Sequence, residues 1–222
     1  MCELCASDPF VDWHGLEPLE AGTVQGGASN GVSTSFNSAL VNQLNSGVIW
    51  TKPTGGVAQT ITYGFPTSAA FASGFGEAAG WSAFTATQKA AARQIMAIWD
   101  ELIAVTFVES TSTPNTADIK FSNTTTDIGY AHAYYPGRTA TETTQNDKIS
   151  GSVWLNPAYN SGINNLVTPA SGSYGFMAIM HEIGHALGLD HGGNYNGGAP
   201  AFSNTSTSWL YTEDSRQFTI MS

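Results

Sequence analysis

Residues 181–191 read His181-Glu182-Ile183-Gly184-His185-Ala186-Leu187-Gly188-Leu189-Asp190-His191. Residues four apart lie on one face of an α-helix, so the imidazoles of His181 and His185 point the same way. His191 follows Gly188, a residue type that tolerates the left-handed backbone that ends many helices. Three neutral imidazoles around an open position are a catalytic zinc arrangement. Glu182, beside the first histidine, stands where a general base would reach a zinc-bound water.

Two other interpretations explain less of this stretch. An ordinary buried helix explains one histidine well, but it does not explain three histidines, a Glu and a Gly at these offsets. A structural zinc site is usually closed by a fourth protein ligand, often Cys. Both cysteines of the chain lie at its N-terminus, far in sequence from residues 181–191. The pattern therefore favours a catalytic zinc site.

The composition limits the classes of partner. The chain has 222 residues, 41% of them hydrophobic, which is enough for a substantial core in one large domain or two small lobes. Lys and Arg number 7 against 17 Asp and Glu, giving a net charge of −10. This acidity argues against nucleic acid and against an anionic membrane surface as partners. No apolar run approaches the length of a transmembrane helix.

The N-terminal cysteines leave three interpretations open. Cys2 and Cys5 are free surface thiols, half of a metal site, or a source of a thiolate that blocks the zinc in a latent form. The first is favoured, because the chain has no second Cys pair to complete a four-thiolate site. The surrounding residues lack the basic and apolar regions of a secretion signal, so an export signal is expected elsewhere.

Hydrophobic periodicity predicts a helix and several strands before the histidine motif. Thr85 and Gln88 form a capping-box pair ahead of an apolar helical stripe, which consists of Ala91, Ile95, Ile98, Trp99 and Leu102. Residues 60–63, 105–108, 119–121, 130–135 and 150–156 are predicted strands, those at 105–108 and 119–121 half-buried. A second helix is predicted from about Ser173 to Leu187, ended by Gly188.

The motif at 181–191, followed by Ile220-Met221-Ser222, resembles that of the metzincin zinc endopeptidases. Within that clan the chain is most similar to the serralysins, which are secreted bacterial proteases. Residues 213–222 are similar to the serralysin sequence that leads into the Met-turn. The segments Ala131-His132-Ala133-Tyr134 and Val153-Trp154-Leu155-Asn156 also resemble serralysin sequences.

The resemblance implies an α+β fold of the metzincin type. Its expected parts are a twisted mixed five-stranded sheet, a long backing helix and an active-site zinc helix, with the lower lobe truncated. Residues 1–33 are expected to be a loop-rich N-terminal extension and a candidate pro-segment. Residues 34–222 are expected to form the protease domain, which ends at the Met-turn.

The family's roles are carried over to matching positions. The zinc ligands implied are His181, His185 and His191, with Glu182 as general base, Gly188 as the motif glycine and Met221 in the turn beneath the metal. The strand Ala131, His132, Ala133 and Tyr134 matches the cleft edge to which an extended peptide substrate adds as a further strand. Simple sheet packing explains that alternation equally well. The His132 side chain is expected on the surface or the rim rather than as a fourth ligand.

Three departures from the family pattern stand out. Gly192 replaces a Pro, and the sequence given contains neither the Tyr that follows the Met-Ser pair nor the C-terminal Gly-rich calcium-binding region. The chain is therefore expected to be a fragment, a nicked chain or a reduced member, with one catalytic Zn²⁺ and with Ca²⁺ only in that C-terminal region. The expected location is extracellular. The expected partners are protein or peptide substrates, with a protein inhibitor or a C-terminal domain as further candidates. A zinc-bound but inactive or latent module is the alternative to an active endopeptidase.

Overall fold

A computed structural model describes residues 2–4, 43–50, 59–137, 148–193 and 219–221, the first of these ranges as backbone only. Most of the predicted N-terminal extension, including Cys5, lies outside these ranges. So does most of the approach to the Met-turn, together with Ser222. The division of the chain at residues 33 and 34 stays a prediction.

One mixed sheet forms the centre of the described structure. Its strands are β1 (Cys2–Leu4), β2 (Gln59–Gly64), β3 (Ser82–Ala83), β4 (Val105–Glu109), β5 (Ile119–Asn123), β6 (Ala131–Ala133) and β7 (Ser152–Leu155). The spatial order is β1-β6-β7-β5-β2-β4, and β3 pairs with β5. Strands β4, β2, β5 and β7 run parallel, whereas β6 is antiparallel to β7. These five strands confirm the predicted mixed sheet, and β1 and β3 extend it.

The first long helix, α1 (Ala86–Leu102), begins with the predicted capping box. The Thr85 hydroxyl accepts from the Gln88 backbone N–H at 3.2 Å, and the Gln88 side-chain carbonyl accepts from the Thr85 N–H at 2.8 Å. Two otherwise unpaired donors of the first turn are thereby satisfied. Most of the apolar stripe packs on the sheet, but its last member, Leu102, is 68% exposed. Leu102 is the last helical residue, where the stripe runs past the edge of the core.

The central strand β5 also departs from its prediction. All five of its residues are buried, including Lys120, because β2 and β7 flank it and both faces of the sheet are covered. The alternation that predicted a half-buried strand was therefore misread. The Lys120 ammonium is satisfied by the backbone carbonyls of Ala117, Asp118 and Ser150, each 2.9 Å away.

The face of the sheet away from α1 is covered by residues 69–80, which include two 3-10 helices, Ala69–Ala72 and Gly76–Gly80. Phe71 stacks on Trp154 of β7 with ring centroids 5.4 Å apart. Glu77 from the same segment is fully buried, and its Oε1 lies 2.9 Å from His132 Nε2. A buried acidic side chain therefore lies directly behind strand β6.

The second long helix, α2 (Tyr174–Ala186), packs across the other face of the sheet, against β6 and β7. The Ser173 hydroxyl caps its N-terminus by accepting from the Phe176 N–H at 3.2 Å. Gly188 follows the helix with φ +101°, which confirms the predicted left-handed turn. Ten of the thirteen residues of α2 are buried, so the helix passes through the core rather than along its surface. None of the helices in the described ranges has the length and apolar character needed to cross a bilayer.

Candidate metal centre

His181 and His185 lie one turn apart on α2, and their ring nitrogens are oriented by backbone carbonyls. His181 Nδ1 lies 2.7 Å from the Ile220 carbonyl oxygen, and His185 Nδ1 lies 2.7 Å from that of Leu189. A carbonyl oxygen only accepts hydrogen bonds, so each Nδ1 carries the proton and donates it. In a neutral ring the lone pair then lies on Nε2, and an imidazole in this form can bind a metal.

The three Nε2 atoms converge on one point. His185 Nε2 and His191 Nε2 lie 3.0 Å and 3.3 Å from His181 Nε2. Two nitrogens bound tetrahedrally to one zinc ion are about 3.3 Å apart, because each Zn–N bond is about 2.0–2.1 Å. The lone pairs of His181 and His185, held this close, repel each other unless a cation lies between them. The three buried histidines therefore fit a zinc ion.

Burial keeps the second histidine in the form that a metal requires. Burial, and then the neighbouring His191, lower the pKa of His185 to about 3. The imidazole is thus neutral throughout the physiological range, and no proton competes with a metal at its Nε2.

Glu182 is fully buried next to the first of these histidines. Neither carboxylate oxygen has a hydrogen-bond partner among the described residues, and burial raises the pKa of Glu182 well above its ordinary value. A buried carboxylate without protein partners is costly unless another polar group meets it. The Glu182 carboxylate therefore needs a polar partner that the described residues do not supply.

The third histidine lies beyond the helix, on a loop held by several contacts. The Gly188 carbonyl accepts from the Ser46 hydroxyl at 2.6 Å, and the Asp190 N–H donates to the Leu44 carbonyl at 2.8 Å. One carboxylate oxygen of Asp190 accepts from the His191 N–H at 2.8 Å and from the Tyr135 hydroxyl at 3.0 Å. Neither Tyr135 nor Asp190 was assigned a role from the sequence. Asp190 stands inside the motif, but its partner is 55 residues away and gives no local signal.

Met221 lies in a turn directly behind α2. It is 1% exposed, and a Cβ added to Gly184 would come within 2.5 Å of its Sδ. The helix therefore approaches this turn as closely as a glycine permits. The turn also supplies the Ile220 carbonyl that orients His181. The structure thus places the turn that contains Met221 against α2 beside His181.

Strand β6 carries the residues predicted to bind substrate, and it is paired on both sides. Ala131, His132 and Ala133 face Leu155, Trp154 and Val153 on one side and β1 on the other. The His132 side chain is fully buried against Glu77, so its predicted surface or rim position was wrong. It belongs to the layer behind the sheet. Tyr134 follows the strand, and its hydroxyl donates to the same Glu77 oxygen at 2.8 Å.

Comparison with known protein families agrees with this geometry. The profile of the matrixin peptidases (Peptidase M10) matches residues 80–197, more than half of the chain. The chain belongs to the matrixin family. The matched segment contains α1, strands β3 to β7 and all three histidines of the cluster. Membership of this peptidase family confirms the resemblance to the metzincins.

Individual relatives of this matrixin are serralysins. A serralysin of Proteus mirabilis is 34% identical over 171 residues, which are 73% of this chain and 33% of the relative. Serralysin B of Dickeya chrysanthemi is 37% identical over 175 residues, 75% of this chain and 33% of the relative. The metallopeptidase AprA of Pseudomonas marginalis is 32% identical over 195 residues, which are 86% of this chain and 38% of the relative. The serralysin-like assignment is therefore confirmed, and the chain spans about a third of the length of these relatives.

Proposed function

We propose that this chain is the catalytic part of a zinc-dependent endopeptidase. The observation that carries the proposal is the convergence of the Nε2 atoms of three buried histidines, together with a buried carboxylate, that of Glu182, at the next position in sequence after His181. His181, His185 and His191 would hold the ion, and Met221 would support the floor of the site. The family assignment supports the same activity, because its relatives are named as metallopeptidases and serralysins.

The chemistry divides between the metal and Glu182. When bound, zinc supplies a Lewis acid that lowers the pKa of a coordinated water to about 7 and polarises a substrate carbonyl. Glu182 takes the proton from the attacking water and gives it to the leaving amine.

The substrate we propose is an extended stretch of protein chain that pairs with β6 in the place that β1 occupies in this structure. A strand offers its backbone N–H and C=O groups to such a peptide, and alternate side chains then face the cleft. Ala131 to Tyr134 would contribute through their backbone. The resemblance to serralysins also supports an extracellular location, where protein substrates, an inhibitor or a C-terminal domain are candidate partners.

Cleavage of fluorescently labelled casein by the 222-residue chain, with and without a zinc chelator, tests the proposal. Glu182→Gln should abolish cleavage while one equivalent of zinc is still retained. His185→Ala should lose the zinc itself. Glu101→Gln is the matched control, because Glu101 is exposed near the end of α1 and should leave both readouts unchanged. Cleavage near the wild-type rate by Glu182→Gln would contradict the role of the general base.

A second candidate, a latent form, is supported by the pairing of β1. Cys2, Glu3 and Leu4 lie antiparallel to β6, opposite Ala133, His132 and Ala131. A substrate strand would use this same edge, so the N-terminal segment would compete with substrate. Proline disfavours strand pairing. Glu3→Pro should therefore raise casein cleavage relative to Glu3→Gln, and equal rates in the two variants would count against latency.

A further inference from the structure

His191, unlike His181 and His185, lies outside the helix, so other contacts must fix its position. His181 and His185 are fixed by their places on one helix and by backbone carbonyls. His191 stands five residues beyond the end of α2, after a turn at Gly188. Its ring must be brought to the other two by loop contacts, and an orientation error at one ligand weakens metal binding as a whole.

Asp190 is the side chain that connects this loop to the sheet. Its Oδ1 accepts two hydrogen bonds, one from the His191 backbone N–H at 2.8 Å and one from the Tyr135 hydroxyl at 3.0 Å. The first bond fixes the backbone of the residue that carries the ring. The second connects the Asp190 carboxylate to Tyr135. Hydrogen bonds to a charged acceptor are stronger than neutral ones, which suits a positioning role.

Tyr135 also contacts a second member of the cluster. Its ring meets the His185 ring edge to face, with centroids 5.5 Å apart and planes at 85°. One side chain therefore packs against the imidazole of His185 and, through Asp190, holds the backbone of His191. Tyr135 follows strand β6 by two residues, so this contact joins the proposed substrate edge to the metal site.

We infer that Tyr135 and Asp190 are positioning residues that set the geometry of the zinc site by holding His191. The inference rests on the proposed zinc site and assigns these two side chains no direct contact with metal or substrate. Loss of a side chain that orients a metal ligand typically lowers metal affinity by about 10- to 100-fold. We expect Tyr135→Phe to speed zinc loss about tenfold, and Asp190→Ala, which removes both hydrogen bonds, to speed it more.

The neighbouring tyrosine provides a matched control. Tyr134 also donates its hydroxyl to a carboxylate, Glu77 Oε1 at 2.8 Å, but on the side of the sheet away from the histidines. Tyr134→Phe removes the same kind of bond one residue away. If Tyr135 acted only through general stability, the two phenylalanine variants would lose zinc at similar rates. Asp190→Asn retains a side-chain carbonyl acceptor and should recover part of the loss seen in Asp190→Ala.

The experiment uses the full chain and two readouts other than peptidase activity. Zinc transfer to a chromophoric chelator gives the rate of metal loss, and visible absorption of the Co²⁺-substituted protein reports ligand geometry. Tyr135→Phe should show faster loss and altered absorption bands, with Tyr134→Phe matching the wild type. Equal zinc loss and unchanged spectra in Tyr135→Phe and Tyr134→Phe would overturn this inference alone. A wild-type chain that holds no more zinc than His185→Ala would overturn the proposed function as well.

Discussion

Gly188 allows a direct test of how the end of α2 is built. Its φ of +101° disfavours any residue with a Cβ, and a Cβ added there would lie 2.6 Å from the Val48 carbonyl oxygen. Ordinary van der Waals contact of a Cβ atom begins at 3.4 Å, so the backbone around Val48 would have to move away from residue 188. That segment is bound to the same turn, because the Ser46 hydroxyl donates to the Gly188 carbonyl at 2.6 Å.

Two costs therefore add up in Gly188→Ala. A left-handed backbone costs a non-glycine residue about 1–2 kcal/mol. Overpacking against a backbone atom that is itself held in place costs about 1–3 kcal/mol more. The expected loss in free energy of unfolding is therefore about 2–5 kcal/mol. Gly74→Ala isolates the first cost, because Gly74 has φ +97° with nothing within 4 Å of an added Cβ. Its expected loss is about 1–2 kcal/mol.

The assay is urea unfolding of both variants and the wild type, followed by tryptophan fluorescence in the presence of a zinc chelator. Removing the metal from all three chains keeps differences in zinc binding out of the comparison. Zinc retention is then measured separately, and it should fall only in Gly188→Ala, because His191 is on the same loop. Equal destabilisation of the two variants would refute the close approach of Val48 to Gly188.

Three further predictions concern Glu77, Gly184 and Thr85. Burial alone would raise the pKa of the Glu77 carboxyl, but hydrogen bonds, that from His132 foremost, hold it below its ordinary value. Its stabilising contribution is therefore complete above the unfolded pKa of about 4.3 and lost as the pH falls through the lower folded value. The stability gap between the chelated wild type and Glu77→Gln should narrow as the pH falls below the unfolded pKa of about 4.3, and a constant gap in urea unfolding would contradict this. Gly184→Ala should destabilise by about 1–2 kcal/mol, because crowding against Met221 exceeds the gain in helix propensity. A double-mutant cycle with Met221→Ala should show positive coupling, and strict additivity would count against the contact. Thr85→Ala should cost about 1 kcal/mol by removing the helix cap, read out as a lower melting temperature.

Features that depend only on residues close together in the sequence were predictable. The capping box of α1 spans residues 85 to 88, and the three histidines fall within eleven residues, so both could be recognised without knowledge of the fold. The left-handed turn at Gly188 follows from the same local logic. The five-strand sheet required the family resemblance as well, because strand order is not encoded in periodicity.

Features that depend on distant segments were not predictable. The buried contact of His132 with Glu77 joins residues 55 apart, and a histidine in a three-residue strand looks the same in sequence whether it faces solvent or a carboxylate. The full burial of β5 has the same origin, since Lys120 is charged and its acceptors include the carbonyl of Ser150, 30 residues away. Leu102 fits the helical stripe by spacing, but only the position of the sheet edge decides whether it is covered.

The backbone carbonyls that accept from His181 and His185 have a consequence for how this site tolerates sequence change. Every amino acid brings the same carbonyl, so no substitution at position 189 or 220 deletes the acceptor, provided the backbone keeps its path. The hydrogen bonds that orient His181 and His185 are thus preserved when the side chains at positions 220 and 189 are substituted. The backbone of His191 is held in another way, by the side chain of Asp190, which in turn accepts from the Tyr135 hydroxyl. In a random-mutagenesis screen, substitutions that reduce zinc binding should therefore occur more often at Asp190 and Tyr135 than at Leu189 or Ile220.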